Sequence, residues 1–448
     1  MTSRPNGQLR EDGVYGRLAM AQGKFISVGR TAPFARSPRA LAGRVRGGDP
    51  HTSRPALGRQ AVLLLAVQGM FAAAGALSGT FVPVYLWKAS QSHAAVGWFA
   101  LAQHLASGCA FWLAGAWVKR HDKTIALRAG LAASALFYLA VLLLGDAAAG
   151  WTAALGALNG LAVGLFWLAY NVVYFEITDR ENRDRFNGWA GLLTSLAGMA
   201  APWLSGTFIT LSGGTRGYRI VFATSLAMFA GAALLSLFLE KRRTGGAFDW
   251  SYGLSQLRTK DNPWRSAVPA LAAQGLREGV WLFLLGLLVY FATGREQSVG
   301  GYNFWTSLTA LGSFWLAGRL LRPRFRRAAM LAGAAAVSGL PAILLADTGY
   351  AALLATGVGT ALFMPLYIIP MTSAVFDLVG RTDEDVERRE ELIVLRETGL
   401  CAGRVLGLAI YLAVVAREQS PAALAWLLLA VGAAPLAGWL FMRRQLSA

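Results

Sequence analysis

The chain has 448 residues, of which 55% are hydrophobic and 15% charged, and its mean hydropathy is +0.45. This composition is too apolar for a protein surrounded by water and predicts a protein that lies in a lipid bilayer. The net charge of +18 does not indicate a nucleic-acid partner, because the basic residues are spread over short segments between apolar runs.

The segment before the apolar part of the chain, residues 1–59, is rich in Arg, Gly, Pro and Ser. This composition predicts a disordered cytoplasmic tail, and no cleavable signal peptide is visible in it. One interpretation of the tail is an anchor to anionic lipids. We favour the simpler one, a segment without a function of its own or an overlong gene start ahead of Met20.

About twelve apolar runs follow, each long enough to cross the hydrocarbon core as a helix. They cover residues 60–87, 94–118, 125–145, 150–177, 189–212, 218–240, 266–293, 299–318, 328–346, 351–378, 398–416 and 422–442. The predicted outer loops contain few basic residues, namely Lys88, Arg216, Arg219, Arg295 and Arg417. This positive-inside distribution predicts a multi-pass membrane protein with both termini in the cytoplasm.

The two halves of the chain resemble each other. Residues 113–130 and 316–333 align without a gap, which pairs Lys123 with Arg326 and Lys119 with Arg322. Further matches, in the same order, are residues 66–69 with 272–275, 175–180 with 376–381, and 185 with 396. The duplication predicts an N-terminal six-helix bundle at 60–240, a cytoplasmic linker at 241–265 and a C-terminal bundle at 266–448.

Six plus six helices, a duplication, a long central inner loop and basic turns between spans 2–3 and 8–9 together resemble the major facilitator superfamily over about residues 60–444. The stretch from Tyr174 to Gly188 looks like an uncharacterised bacterial branch of these permeases. The loop 2–3 motif of the family is present in altered form as Gly115, Lys119, Arg120, Asp122 and Lys123. The resemblance implies an all-α fold of two pseudo-symmetric bundles and solute transport by alternating access.

The residues of span 5 bear on helix packing and on the direction of transport, and the glycine series of two other spans bear on helix packing. Where drug-antiporter members of the family carry a glycine-proline pattern, this chain has Gly188, Ala197, Ala201, Pro202, Ser205 and Gly206. The similarity favours export, while small residues also let helix backbones approach. Glycines at 156, 160 and 164, and at 399, 403 and 407, recur every four residues and predict packing seams.

Span 7 places Arg277 and Glu278 roughly 16 Å from its predicted cytoplasmic edge, at 1.5 Å per residue. An ionisable side chain at this depth costs roughly 2.5–3.5 kcal/mol, so it faces a water-filled path or a partner. Glu278 is the first candidate for a proton carrier. Arg277 is a candidate to meet an anionic substrate or a carboxylate on another helix, and a permanent structural ion pair is the alternative for both.

Other polar or aromatic side chains inside the spans are candidates for substrate binding or coupling. They are Gln68, His104, Trp167, Tyr170, Asn171, Gln274 and Arg404. Trp167, Tyr170 and Asn171 share one helix face with Tyr174 and suit a ligand wall. The glutamines occupy equivalent places in spans 1 and 7, which line the central cavity in the family that the chain resembles. Ordinary packing, or a structural hydrogen bond, is the alternative for each.

Charged residues at the predicted cytoplasmic ends of the spans are candidates for a gate. They are Lys119, Asp122, Lys123, Glu176, Arg183, Asp377 and Arg381. Glu176 and Asp377 occupy matching ends of spans 4 and 10, close to basic loops. We expect ion pairs of these two with residues such as Lys123, Arg183 or Arg381 to hold the cytoplasmic side closed.

The sequence predicts a transporter and not an enzyme. Cys109 and Cys401 lie inside spans without the spacing of a metal site or disulfide, and we expect no cofactor. No phosphate-binding loop and no reactive constellation is visible. The predicted function is proton-coupled export of a small organic solute by a monomer in the lipid bilayer. The alternatives are a proton- or ion-coupled nutrient importer and a non-transporting membrane sensor.

Overall fold

The computed structural model describes residues 57–120, 122–178, 182–241 and 248–447. The predicted tail therefore lies outside the described residues except for 57–59, as does part of the linker, residues 242–247. The side chains of the predicted gate residues Lys119 and Arg183 lie outside them as well.

The regular structure of the described residues is helical. The first half contains α1 (Arg59–Gly79), α2 (Val82–Ser90), α3 (His93–Arg120), α4 (Lys123–Leu144), α5 (Thr152–Ile177), α6 (Arg183–Leu211) and α7 (Thr215–Ser236). The linker contains α8 (Tyr252–Arg258). The second half contains α9 (Trp264–Thr293), α10 (Glu296–Leu320), α11 (Arg326–Gly339), α12 (Ile343–Ala346), α13 (Tyr350–Val379), α14 (Asp383–Glu387), α15 (Arg389–Val415), α16 (Pro421–Gly432) and α17 (Ala434–Met442).

Nine segments of the described chain are long and apolar enough to cross a membrane. One of them, Lys123–Tyr174, is 52 residues long and contains α4 and most of α5. Helices α3 and α10, of 28 and 25 residues, are long enough to span but less apolar. The helices are thus consistent with the predicted count of about twelve spans, and the membrane fold is confirmed.

Helix packing repeats between the two halves. Helix α1 packs on α6 and α7, and α9 packs on α15 and α17. Likewise α4 packs on α5 and α7, and α11 packs on α13 and α17. The halves meet along two helix pairs, α3 with α15 and α6 with α10. Because the packing partners recur in the order of the sequence repeat, the structure confirms two pseudo-symmetric bundles.

Three predicted spans are interrupted. The first breaks between α1 and α2, the ninth at a 3₁₀ turn after α11, and the twelfth between α16 and α17. A proline lies at or shortly after each break, namely Pro83, Pro341 and Pro435. Proline lacks the N–H that would continue the helical hydrogen bonds, which explains the breaks.

The glycine series form packing seams, as predicted. A Cβ atom on Gly160 would overlap the backbone of Gln103 in α3. One on Gly403 would overlap the backbone of Ala272 in α9. Only glycine lets these helix axes come so close. The small residues of span 5 act in the same way between the halves, because a Cβ atom on Gly206 would overlap the backbone of Glu296 in α10.

Candidate transport site

A cavity of about 520 Å³ lies between the two halves. Its walls come from α1, α2, α3 and α6 of the first half and from α9, α10 and α13 of the second, with Asn159 added from α5. His104, Arg277 and Glu278 line it. Its volume lies within the roughly 300–1,000 Å³ range of small-molecule sites.

Glu278 is held in place by partners on two helices. Its Oε2 accepts hydrogen bonds from Nη2 of Arg404 at 2.7 Å and from Nε at 3.2 Å. Its Oε1 accepts one from Nε2 of Gln274 at 2.7 Å. The backbones of α9 and α15 approach closely here, because a Cβ atom on Gly279 would meet the backbone of Arg404. The pair Glu278–Arg404 therefore connects the cavity wall to α15.

A second carboxylate extends this network along α15. Glu397 accepts a hydrogen bond from Arg396 at 2.8 Å, and its Oε2 lies 4.0 Å from Nη1 of Arg404. Sequence reasoning missed Glu397, because span 11 was predicted to begin at residue 398, whereas α15 begins at Arg389. Seven residues separate Glu397 from Arg404, a spacing that puts both on one helix face and was the available signal.

Arg277 has different surroundings. Its guanidinium stacks on the ring of Trp281, with Cζ 3.9 Å from the ring centroid, and its Nη1 lies 3.9 Å from the sulfur of Met364. Its Nε and Nη2 are buried and find no hydrogen-bond partner within residues 57–120, 122–178, 182–241 and 248–447. Among the described residues no carboxylate forms a salt bridge with Arg277. The predicted alternative of a partner carboxylate on another helix is therefore wrong within the described chain.

The two equivalent glutamines stabilise the site from behind. Gln68 donates from Nε2 to Oγ1 of Thr194 at 2.7 Å, joining α1 to α6. Gln274 donates to Glu278. Neither glutamine belongs to the cavity wall, although Thr194 and Glu278 do. In this structure each glutamine side chain is turned to a helix neighbour that lines the cavity, and the roles of Gln68 and Gln274 in substrate binding or coupling stay predictions.

The aromatic face of span 4 is part of the core of the first half. Trp167, Tyr170 and Asn171 are buried, and none of them belongs to the cavity wall. Phe71 of α1 meets Trp167 edge to face with ring centroids 5.8 Å apart. The face packs within its own bundle in this structure, as in the alternative of ordinary packing, and the predicted ligand wall stays a prediction.

Several neutral polar residues of the cavity wall were missed by the sequence analysis. They are Gln103, Asn159, Thr194, Ser195, Tyr302, Asn303, Thr306, Ser307 and Thr360. On α10 the polar positions 302, 303, 306 and 307 recur at helical spacing, which was a readable signal. This polar face also explains why α10 is less apolar than the other spans.

The predicted gate residues form contacts within each half. Lys123 donates to Glu176, joining α4 to α5, and Arg326 donates to Asp377 at 3.0 Å, joining α11 to α13. These two pairs occupy matching positions of the repeat. Lys123 is one of the expected partners of Glu176, whereas Asp377 pairs with Arg326, which was not among the expected partners. Because both pairs lie inside one bundle, they do not by themselves tie the halves together, which corrects the predicted gate.

Asp122 has a local role at the same end of the bundle. Its carboxylate accepts a hydrogen bond from the backbone N–H of Thr124 at 3.0 Å. This is the N-cap of α4, and such a cap satisfies a backbone donor that the helix leaves free.

The halves are joined at the predicted outer end by polar contacts. Lys88 of α2 and Glu296 of α10 form an ion pair at 2.9 Å. Tyr218 donates to the same carboxylate at 3.1 Å, and the ring of Trp87 lies 4.6 Å from that of Phe291. At the predicted inner end, Trp112 of α3 donates from Nε1 to Thr398 of α15 at 2.8 Å.

The comparison with known families agrees with this architecture. The family model of the Major Facilitator Superfamily matches residues 64–407. The chain belongs to this superfamily. It is 36% identical over 355 residues to the protein YqgE of Bacillus subtilis (strain 168), an alignment that covers 79% of this chain and 82% of that one.

Solved transporter structures share the fold. A bacterial homologue of the iron transporter ferroportin, in an inward-facing state, has a TM-score of 0.64 and 15% identity, with 88% of this chain and 100% of that chain covered. The fucose:proton symporter FucP of E. coli has a TM-score of 0.58 and 16% identity, with 86% and 98% covered. At these identities the likeness shows the fold alone.

Proposed function

We propose that this chain is a secondary transporter that moves a small organic solute across the cytoplasmic membrane by alternating access, coupled to protons, as a monomer. The observation that carries the proposal is the position of Glu278, an acidic side chain in the wall of a cavity between two pseudo-symmetric halves. Such a carboxylate is the kind of group that carries a proton in membrane transport.

Arg404 gives this carboxylate a means of coupling. It is bonded to Glu278 and lies 4.0 Å from Glu397. Protonation of Glu278 removes its negative charge, so Arg404 then interacts more favourably with Glu397. A proton on Glu278 thereby weakens the link between the cavity wall and α15, which is also the helix that packs on α3 of the other half.

Alternating access needs contacts between the halves that break and re-form. The Lys88–Glu296 pair at the predicted outer end is one such contact, because it joins α2 to α10. The fold supports two states as well, since the ferroportin homologue has been solved in inward-facing and outward-facing states.

For direction we propose export, on the small-residue pattern of span 5. The close approach of Gly206 to the backbone of Glu296 accounts for part of that pattern without reference to direction. Uptake is therefore the alternative, and one structural relative is named as a fucose:proton symporter.

The test is solute-driven proton movement in vesicles. Purified protein is reconstituted with a pH-sensitive dye trapped inside, and a panel of sugars, nucleosides, amino acids and organic acids is added. We expect at least one solute to move protons, and Glu278→Gln to abolish this signal. The control is Glu418→Gln, which removes an exposed carboxylate outside the cavity wall and should retain solute-coupled proton movement. Full activity of Glu278→Gln would eliminate Glu278 as the proton carrier. A comparison of transport in right-side-out and inverted vesicles gives the direction.

A further inference from the structure

Arg277 is a charged residue of the cavity wall whose hydrogen bonding is incomplete among the described residues. Only 3% of its surface is exposed, yet it belongs to the cavity wall. The face of the guanidinium is covered by Trp281 and Nη1 by the sulfur of Met364. Nε and Nη2 have no hydrogen-bond partner in the part of the chain that the structure describes.

The open edge of this guanidinium has a defined chemical complement. Nε and Nη2 lie on the same edge and direct two parallel N–H bonds, an arrangement that matches the two oxygens of a carboxylate. A buried cation without a counterion has a cost in free energy, and so do buried donors without a hydrogen-bond partner. A bound carboxylate lowers both costs. Stacking on Trp281 fixes the plane of the group before a ligand arrives.

The neighbouring carboxylate is already engaged. Both oxygens of Glu278 accept hydrogen bonds, one from Gln274 and one from Arg404. The charge of Glu278 is thus balanced by Arg404, while the charge of Arg277 has no equivalent counterion among the described residues. The cavity therefore favours an anion at Arg277.

We infer that the solute is an organic carboxylate, whose carboxylate group binds the Nε–Nη2 edge of Arg277. This rests on the proposed function, because it names the class of solute that occupies the same cavity. The remainder of the ligand meets apolar walls such as Phe99, Trp281 and Phe283, with neutral hydrogen-bonding groups on Asn303 and Thr360. These surroundings fit a mainly apolar body with few polar groups.

A metal cation fits this cavity poorly. The described residues contain no group of three or more His, Cys, Asp or Glu placed to hold a metal ion. The charge of Arg277 would repel a cation at the same wall. The likeness of fold to an iron transporter homologue thus does not extend to the chemistry of this site.

The first experiment measures thermal unfolding of the full chain without ligand. If Arg277 forms an anion site that is empty without ligand, Arg277→Met removes an unpaired buried charge and leaves the Tm unchanged or higher. The matched control is Arg404→Met, which leaves Glu278 without its cation and should lower the Tm. A fall in Tm for Arg277→Met as large as that of the control would mean a structural role and overturn the proposal.

The second experiment measures binding by calorimetry with benzoate, hexanoate and succinate, each paired with its neutral amide. We expect at least one acid to bind the wild type about tenfold or more tightly than its amide. A charge-assisted hydrogen-bonded pair gives a difference in affinity of this size. Arg277→Met should remove the difference, and Arg277→Lys should restore part of it. Equal binding of acid and amide in all pairs, or unchanged acid binding by Arg277→Met, would overturn the proposal, as would binding of phenyl phosphate with none of the acids.

The two proposals fail separately. Carboxylate binding that depends on Arg277, together with full transport by Glu278→Gln, would reject proton coupling at Glu278 and keep the anion site. Proton-coupled transport of a neutral solute, with no carboxylate binding, would reject the anion site and keep the transporter.

Discussion

The helix pairs α1/α6 and α9/α15 occupy equivalent places in the two halves but are joined by different chemistry. In the first half the link is neutral, from Gln68 to Thr194. In the second half it is ionic, from Glu278 to Arg404. In the register of the repeat, Phe71 and Ala72 stand where the second half has Arg277 and Glu278. The duplication kept the packing, and the charges at the cavity are confined to one half.

The inner ends of the halves differ less. Lys123–Glu176 and Arg326–Asp377 preserve the same pairing at matching positions. An ion pair that holds neighbouring helices together serves both bundles equally. Under the proposed function, a charge in the cavity serves the solute, and one copy is sufficient. We infer that symmetry persists where a contact is structural and is lost where it faces the solute path.

The largest effect should come from Arg404→Ala compared with Thr194→Ala. Removal of one partner from a buried ion pair costs about 3–5 kcal/mol, whereas loss of a single neutral hydrogen bond costs about 1 kcal/mol. Unfolding in detergent measures the difference, and Arg404→Ala should also abolish transport. Similar losses in the free energy of unfolding for the two variants would show that the ionic link stabilises the protein no more than the neutral one.

The inner ion pairs should respond according to burial. The Lys123 side chain is 4% exposed, while Asp377 is 61% exposed. Glu176→Gln should therefore destabilise the protein by about 3 kcal/mol and Asp377→Asn by about 1 kcal/mol or less. Thermal unfolding of both variants, at low and high salt, tests this. Salt should affect the exposed pair more, and the reverse order of losses would contradict the structure.

A smaller effect is expected at equivalent glycines of α1 and α9. A Cβ on Gly275 would overlap the backbone of Leu400, whereas one on Gly69 meets only the movable side chain of Leu193. Gly275→Ala should cost about 1–3 kcal/mol by overpacking, and Gly69→Ala about 1 kcal/mol or less. Chemical denaturation measures both. Equal costs would mean that the α9/α15 seam is no tighter than its counterpart.

The smallest perturbation tests the orientation of both halves. In a variant with Cys109 and Cys401 replaced by Ser, single cysteines at Ser92 and Asp383 should label from outside and inside the cell, respectively. Folding should be unaffected, because both positions lie at helix ends. Labelling by a membrane-impermeant reagent in whole cells and inverted vesicles gives the answer. The opposite pattern would reverse the predicted topology.

The sequence by itself determined the membrane class, the two halves and most helix positions. Hydropathy reports the solvent of each segment directly. The expected pairing of Glu176 with Lys123 is present in the structure, whereas the pairing of Asp377 with Arg326 was not predicted, although Arg326 is the repeat equivalent of Lys123. The sequence also identified Arg277 and Glu278, because an ionisable residue in an apolar run stands out without any knowledge of its neighbours.

Only the tertiary structure decided which polar groups face the cavity. Gln68 and Tyr170 sit in apolar helices as prominently as His104 does, yet they are turned to neighbours in their own bundle. Helix periodicity gives faces but not the partner of each face, because the partner depends on packing between distant segments. The same applies to charge balance. Arg404 neutralises Glu278, whereas Arg277 has no counterion among the described residues, and this difference follows from the crossing of α9 and α15.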